Sequence, residues 1–330
     1  MALESGTKSN NGFFKAKKFL IKKMSKRIVS LLPSSTEIIC KLGFRNQLVG
    51  ISHECDYPNS VKGLPVLTKP RFAPQGSSHE IDDRVKDLLN RGLSVYDVDA
   101  DLLKGLLPDL IVTQAQCEAC AVSLNEVREV VSSWMGKEPH IVSLEPNRLN
   151  EVWLDLDRVA EAMNAPESSS NFKSEIRERL GILDENNKEL KSKPSVLCIE
   201  WIDPIMIAAN WVPELVQLAG GTNLLSESGT HSHTVSWEDV IESNPDFLIL
   251  MPCGFSIERT LEEVSLLKKK NGWEDLKAVK INQVIVVDGN QYFNRPGPRL
   301  LDSAEILAEI FEREVHESRY FGKAWLIADI

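Results

Sequence analysis

The chain has 330 residues, 42% hydrophobic and 26% charged, with a formal net charge of −10, and its mean hydropathy is −0.18. That length suits about two domains of roughly 150 residues each, with substantial cores. The negative charge argues against general nucleic-acid binding, and no apolar run approaches the roughly 20 residues that span a bilayer.

Residues 1–26 are rich in Lys, Ser and Asn and hold a single acid, Glu4. Phe19-Leu20-Ile21 is too short for the apolar core of a secretory signal. We read this stretch as a disordered extension, with organellar targeting as the alternative. Arg27 to Leu32 is a β-rich run ended by Pro33. Ser34-Ser35-Thr36-Glu37 offers a helix cap and an early acid before Ile38, Ile39 and Leu42 at helical spacing. Leu48 to Ser52 reads as a second strand and leads into His53-Glu54-Cys55-Asp56-Tyr57-Pro58. Residues 69–97 are an excursion whose Ile81, Val85, Leu88 and Leu89 form an amphipathic helix. A helix over Asp101 to Leu107 then turns at Pro108-Asp109 into the buried strand Leu110 to Thr113. Gln114 to Cys120, a helix through Trp134 and the strand His140 to Leu144 complete this half.

A helical connector occupies residues 147–193. Leu149, Val152, Trp153, Leu156, Val159, Ala160 and Met163 share one face at steps of three and four. Asn164-Ala165-Pro166 interrupts it. The second helix carries a thin apolar line (Phe172, Ile176, Leu180, Leu183, Leu190), as a strut bridging two bodies would. Beyond it, Ser195 to Glu200, Phe247 to Met251 and Val284 to Val287 read as strands. Trp211 to Ala219, Ser236 to Ser243 and Leu301 to Phe311 read as helices. Leu107-Pro108-Asp109-Leu110-Ile111-Val112 matches Asn244-Pro245-Asp246-Phe247-Leu248-Ile249, so the two halves share a plan. This β–α alternation predicts an α/β fold: two Rossmann-like lobes, residues 27–146 and 194–330, with mainly parallel sheets, joined by the long connecting helix.

Ligands of such sheets gather beyond the carboxyl ends of the strands, which places a cleft between the lobes. The loops there supply Ser34, Ser35, His53, Tyr57 and Gln114 from the first half. The second half supplies Trp201, Asp203, Trp211, Phe255, Tyr292, Phe293 and Arg295. Aromatics with a few polar groups suit a selective, largely apolar pocket. Trp201 and Trp211 can cover a flat macrocycle while Asp203 bonds a polar edge. Arg295 can take a carboxylate or phosphate bidentately, or instead close the lobes through an ion pair. His53, Cys55, Cys117 and Cys120 make a donor set suited to Zn²⁺ or another thiophilic metal or cluster, or two half-buried thiols in a helix-entry loop. Cys117 or Cys120 at a helix start can also be reactive. His231 and His233 point to one side of an extended strand. The six cysteines are not needed as staples, which favours a reducing compartment and a cytoplasmic location. No GxxxxGK[ST], GxSxG or HExxH motif supports an enzyme; a thiol- or metal-dependent enzyme built on the His53 and cysteine cluster is the alternative.

The chain resembles the periplasmic binding proteins with a helical connector, the family that captures vitamin B12, iron–siderophores and metal ions. The resemblance spans residues 27–315. It rests on the segment from Arg27 to Ile38, on Val49-Gly50-Ile51-Ser52 with Asp56-Tyr57-Pro58, on the Pro108-Asp109 and Pro245-Asp246 repeats, and on Leu218-Ala219-Gly220-Gly221. His53 to Pro58, Cys117 to Cys120 and Tyr292 to Arg299 are similar to members labelled cobalamin-binding. The resemblance implies non-catalytic capture of a corrinoid-like, metal-chelate or other flat ligand. It also implies permease docking through one acid per lobe, here Asp101 and Glu238. No export signal precedes the first lobe, which argues against that docking.

Overall fold

The computed structural model describes residues 26–114, 124–132, 134, 138–187, 192–312 and 318–328. Cys117, Cys120, Leu190 and the extension before Lys26 lie outside the described residues.

The first lobe runs β1 (Ile28–Ser30), α1 (Pro33–Lys41), β2 (Leu48–Ile51), β3 (Thr68–Pro70), α2 (Ser78–Asn90), β4 (Tyr96–Val98), α3 (Ala100–Gly105), β5 (Leu110–Gln114), α4 (Leu124–Ser132) and β6 (His140–Leu144). β2, β1, β5 and β6 form a four-stranded parallel sheet in that order. β1 and β5 are fully buried, as parallel strands covered on both faces must be, and this explains their unbroken apolar runs. Within the excursion, β3 and β4 pair antiparallel, a ribbon that the sequence reading did not anticipate. α1 begins at Pro33, one residue before the expected cap, with extended Leu32 ahead of it. Proline suits this position because its missing N–H would have had no helical partner. The serines therefore fall inside the first turn.

Two helices, α5 (Leu149–Ala162) and α6 (Ser170–Asn187), form the connector. Their break falls at Asn164 to Pro166, where Asn164 has φ +55°. The second lobe continues with β7 (Ser195–Trp201), β8 (Met206–Ile207), α7 (Val212–Leu218), β9 (Thr222–Asn223), β10 (His233–Thr234), α8 (Trp237–Ser243), β11 (Phe247–Leu250), α9 (Ile257–Lys268), α10 (Lys277–Lys280), β12 (Val284–Val287), α11 (Leu300–Glu312) and β13 (Trp325–Ile327). Its seven-stranded sheet has the order β10-β8-β7-β11-β12-β13, with β9 on β7. β7, β11 and β12 are parallel, whereas β8, β10 and β13 are antiparallel additions at the edges. The expected mainly parallel character belongs to the centre of this sheet.

The Pro-Asp repeat has a structural meaning. Asp109 Oδ2 accepts the Arg27 backbone N–H at 3.0 Å, and Asp246 Oδ2 accepts that of Ser195 at 2.8 Å. In each lobe the aspartate that opens one strand thus pins the start of the lobe's first strand. The residue before each proline, Leu107 or Asn244, has positive φ.

The connector is less of a bare strut than its composition implies. Leu149 and Val152 of α5 belong to the second lobe's core. Leu156, Val159 and Ala160, further along the same helix, belong to the first lobe's core. α6 runs the reverse course, with Phe172 and Ile176 in the first core and Leu183 in the second.

Candidate functional site

The carboxyl ends of the parallel strands in both lobes open into loops that meet. The segment after β12 reaches across from the second lobe. Arg299 donates from Nε to Glu37 Oε2 at 2.9 Å and from Nη2 to Glu37 Oε1 at 2.6 Å. Arg295 donates to both Asp56 carboxylate oxygens, at 2.5 and 3.2 Å, and to the Glu54 carbonyl at 3.3 Å. Asn290 adds a bond to Asp56 at 3.2 Å. Burial raises the Glu37 carboxyl even though Arg299 opposes it. Burial would also raise Asp56, but the bonds and charge of Arg295 win and hold it below the usual carboxylate range. The opposite edge is closed by Glu263 Oε1 accepting Ser78 N–H at 2.7 Å and by Trp201 Nε1 donating to Ser78 O at 3.2 Å.

Between these edges lie strand-tip loops of both lobes, and the space they border is the candidate chamber. Cys253 begins the turn after β11, and its backbone N–H is held by Glu200 O at 3.0 Å. The residue keeps substantial accessible surface and feels Glu200 of its own lobe and Glu54 of the first, with Arg295 opposing them. Its accessible surface therefore lies where groups of both lobes converge. Glu54 and Tyr96 of the first lobe lie within electrostatic reach of Cys253, with Tyr96 Oη donating to Glu54 Oε1 at 3.0 Å. Burial raises the Glu54 carboxyl, pushes the Tyr96 phenol up, lifts Glu200 to about 7 and lifts the Cys253 thiol to about 12. Two ring pairs stand by: Trp201 with Phe255 at 5.2 Å, and His53 with Tyr96 at 5.1 Å.

His53 has a defined tautomer. The Thr68 hydroxyl donates to Ser52 Oγ at 3.0 Å, so His53 Nδ1, 2.7 Å from Thr68 Oγ1, is the protonated nitrogen. Nε2 carries the lone pair, and burial lowers the ring's pKa and favours this neutral form. Chemically, the chamber offers carboxylate acceptors, one imidazole nitrogen, a thiol and aromatic faces.

The sequence-derived residues divide accordingly. His53, Trp201 and Phe255 stand at or beside the chamber. Asp203 reaches His79 of the first lobe at 3.6 Å. Tyr57, 46% exposed, lies under the Arg299 guanidinium at 4.2 Å and lines a separate hollow of about 350 Å³ with Glu37, Lys41, Glu175 and Arg179. Tyr292 packs against the second core. Gln114 is buried at the end of β5.

Several residues are committed elsewhere. Trp211 and Phe293 are core residues: Phe293 has no exposed surface, and its carbonyl accepts Trp211 Nε1–H at 2.6 Å, so neither ring faces the chamber. Ser34 and Ser35 are buried in α1, where Ser35 Oγ donates to Leu32 O at 3.0 Å. Arg295 is occupied by Asp56, which realises the ion-pair alternative. The Cys55 thiol is buried against Thr36 Oγ1 at 3.1 Å, with burial pushing it to about 12. Cys117 and Cys120 lie outside the described residues. Among the described residues no group of three or more His, Cys, Asp or Glu could hold a metal ion, and His231 and His233 are exposed.

Sequence reasoning did not find Tyr96 or Glu200, and it placed Glu54 and Cys253 only within the strand-tip loops 53–57 and 253–255, without a role of their own. A carboxylate at the end of the apolar run Ser195 to Ile199 was the available signal for Glu200. Tyr96 gave none, because its ribbon was read as an excursion.

Comparison with known proteins completes the description. The profile of a family described as periplasmic binding protein matches residues 28–290. An uncharacterized ABC transporter substrate-binding lipoprotein of Bacillus subtilis is 23% identical over 88% of this chain and 81% of its own length. A vitamin B12-binding protein of Yersinia pestis is 21% identical over 86% of each chain. Among solved structures, the periplasmic vitamin B12 binding protein of Vibrio cholerae superposes with a TM-score of 0.63 at 21% identity, covering 88% of this chain and 98% of that one. A periplasmic heme-binding protein from Roseiflexus sp. RS-1 gives 0.65 at 22% identity over the same shares.

Proposed function

The chain belongs to the periplasmic binding protein family, and from that premise we propose that it captures a flat small molecule, a corrinoid or another metal chelate, in the chamber between its lobes. The observation that carries this reading is the convergence of polar and aromatic side chains at the strand tips of both lobes: His53, Glu54 and Tyr96 from the first, and Trp201, Phe255 and the accessible Cys253 from the second, with Trp201 bonded across to Ser78. Vitamin B12 and heme are what the named relatives bind, and both are flat chelates of a size that aromatic walls can cover. The thiol-enzyme alternative loses support from Cys55, whose raised pKa is the reverse of an activated thiolate. A reducing, cytoplasmic setting is part of the proposal and is supported by the unpaired state of Cys40, Cys55, Cys198 and Cys253.

Titration calorimetry against cobalamins, heme and siderophore chelates tests capture. We expect at least one to bind and to lose affinity when Cys253→Phe fills the chamber; a panel without a binder overturns the proposal. Delivery to a permease is a second reading. Its support is that Asp101 and Glu238 are both exposed in the first turns of α3 and α8, and retention of the protein by a permease only when both acids are intact tests it.

A further inference from the structure

We propose that residues 71–95 form a flap that gates the cleft: a ligand enters and leaves by release of the flap's tip from the second lobe, while the lobes stay in place. This rests on the capture reading above and names the route to its site.

The flap is anchored at its stem. Arg71 N–H donates to Val95 O at 2.9 Å, where the chain leaves and rejoins the β3–β4 ribbon. The Arg71 guanidinium is tied to Asp97 and Glu126 at 3.0 and 2.6 Å. Tyr96 joins this stem to the first lobe's strand tips through Glu54 and His53. Beyond the stem, α2 buries only Ile81 and Leu88 of its apolar side chains. No residue from 72 to 95 belongs to any of the four hydrophobic cores. A hollow of about 430 Å³ is lined by Arg71 and Phe72 of the stem and by Arg84 and Leu88 of α2. A segment with so few apolar contacts opens locally at little cost.

The tip makes its contacts on the other lobe. Glu263 Oε1 accepts the Ser78 N–H at 2.7 Å, Arg259 Nη2 donates to Gly76 O at 2.5 Å, and Trp201 Nε1 donates to Ser78 O at 3.2 Å. Trp201 ends β7, and Arg259 stacks over Phe255, beyond β11, at 4.6 Å. The tip therefore rests on the strand ends where a ligand gathers. This latch is incompletely bonded: Ser78 Oγ and Glu263 Oε2 are buried and find no hydrogen-bond partner among the described residues. No side-chain atom of Glu37, Arg295 or Arg299, which close the other edge, is left so. Buried unpaired polar atoms offset the hydrogen bonds made beside them, so the Ser78 edge is the one that releases. The connector supplies side chains to both cores, so wide separation of the lobes would expose one of them.

Two variants of the full chain break the latch from opposite sides. Glu263→Ala removes the acceptor. Ser78→Pro removes the donor at the first helical position, where proline is tolerated, and Ser77 before it is already extended, with φ −70° and ψ 162°. Circular dichroism and melting temperature show that the variants are folded. In hydrogen exchange we expect each to speed the α2 amides by at least about tenfold, the factor that one charge-assisted hydrogen bond supplies, and to leave α1 and α11 unchanged. In stopped-flow mixing with cobinamide or heme, association and dissociation should both accelerate by a similar factor, with the affinity nearly constant, as gating requires. Unchanged α2 exchange in both variants overturns the latch, and a rise shared by α1 and α11 shows that the lobes separate as bodies. Faster α2 exchange with unaltered binding rates overturns the gate while leaving capture intact. If neither chelate binds, the capture reading fails and the gate with it, whereas the latch stands or falls on exchange alone.

Discussion

Two side chains show how much depends on individual charges at the lobe interface. Glu37 and Arg299 are both nearly inaccessible and bonded bidentately. Removing either partner strands a buried charge, so Arg299→Ala and Glu37→Ala should each cost about 3–5 kcal/mol, and the double variant should cost less than the sum of the two. Urea denaturation measures all three; strict additivity would mean that the two groups do not act as a pair. Glu200 works the other way. Its folded pKa, about 7, lies above its ordinary value of 4.5, so the folded state holds the proton longer than the unfolded one. Its contribution to stability is therefore greatest below about pH 4.5, falls as the pH rises towards 7, and is level beyond that. Glu200→Gln abolishes this loss, and at pH 8 it should be more stable than the wild type by on the order of 1–3 kcal/mol, while at pH 4.5 the two should be similar. Thermal melts across that range check the sign; a difference that does not change with pH would contradict the enclosure of Glu200.

At the scale of elements, the close approach of β11 and β12 controls where the Arg295–Arg299 segment can go. A Cβ at Gly289 would sit 2.1 Å from Pro252 O and 2.8 Å from Met251 C, and backbone cannot move aside as a flexible side chain can. Gly289→Ala should therefore cost about 1–3 kcal/mol and loosen the cross-lobe bonds of Arg295, which weakened protection of the interface amides in hydrogen exchange would reveal. The strands themselves were legible in the sequence. Parallel strands buried on both faces leave unbroken apolar runs, and the polar residues that end each run mark the loops where a ligand gathers. The burial of Trp211 and Phe293 was not legible, since an aromatic beside an apolar run reads the same whether it faces a ligand or a core. Nor was the partner of Arg295, because Asp56 lies 239 residues away along the chain. The edge strands β8, β9, β10 and β13 are two or three residues long, too short to show a period.

The whole molecule is held as one body by shared cores rather than by surface contact alone. Trp153 packs against both core clusters and meets Phe172 edge-on at 6.0 Å. On α6, the Glu175 carboxylate pairs with Lys41 of the first lobe at 2.8 Å, and Arg179 pairs with Asp302 and Glu305 of the second at 2.5 and 2.7 Å. A helix pair that supplies apolar side chains to two cores transmits the loss of either core to the other. The lobes should therefore unfold together, and large hinge closure would require the connector to leave one of its two cores. Calorimetry should show a single endotherm with equal calorimetric and van't Hoff enthalpies. Trp153→Ala, which removes a half-buried ring from the junction, should cost about 3 kcal/mol, the lower end of the range for such truncations. It should also split the endotherm, because each lobe would retain its own sheet while losing the group they share. Two transitions in the wild type, or an unsplit one in the variant, would show that the lobes are coupled by something other than the connector.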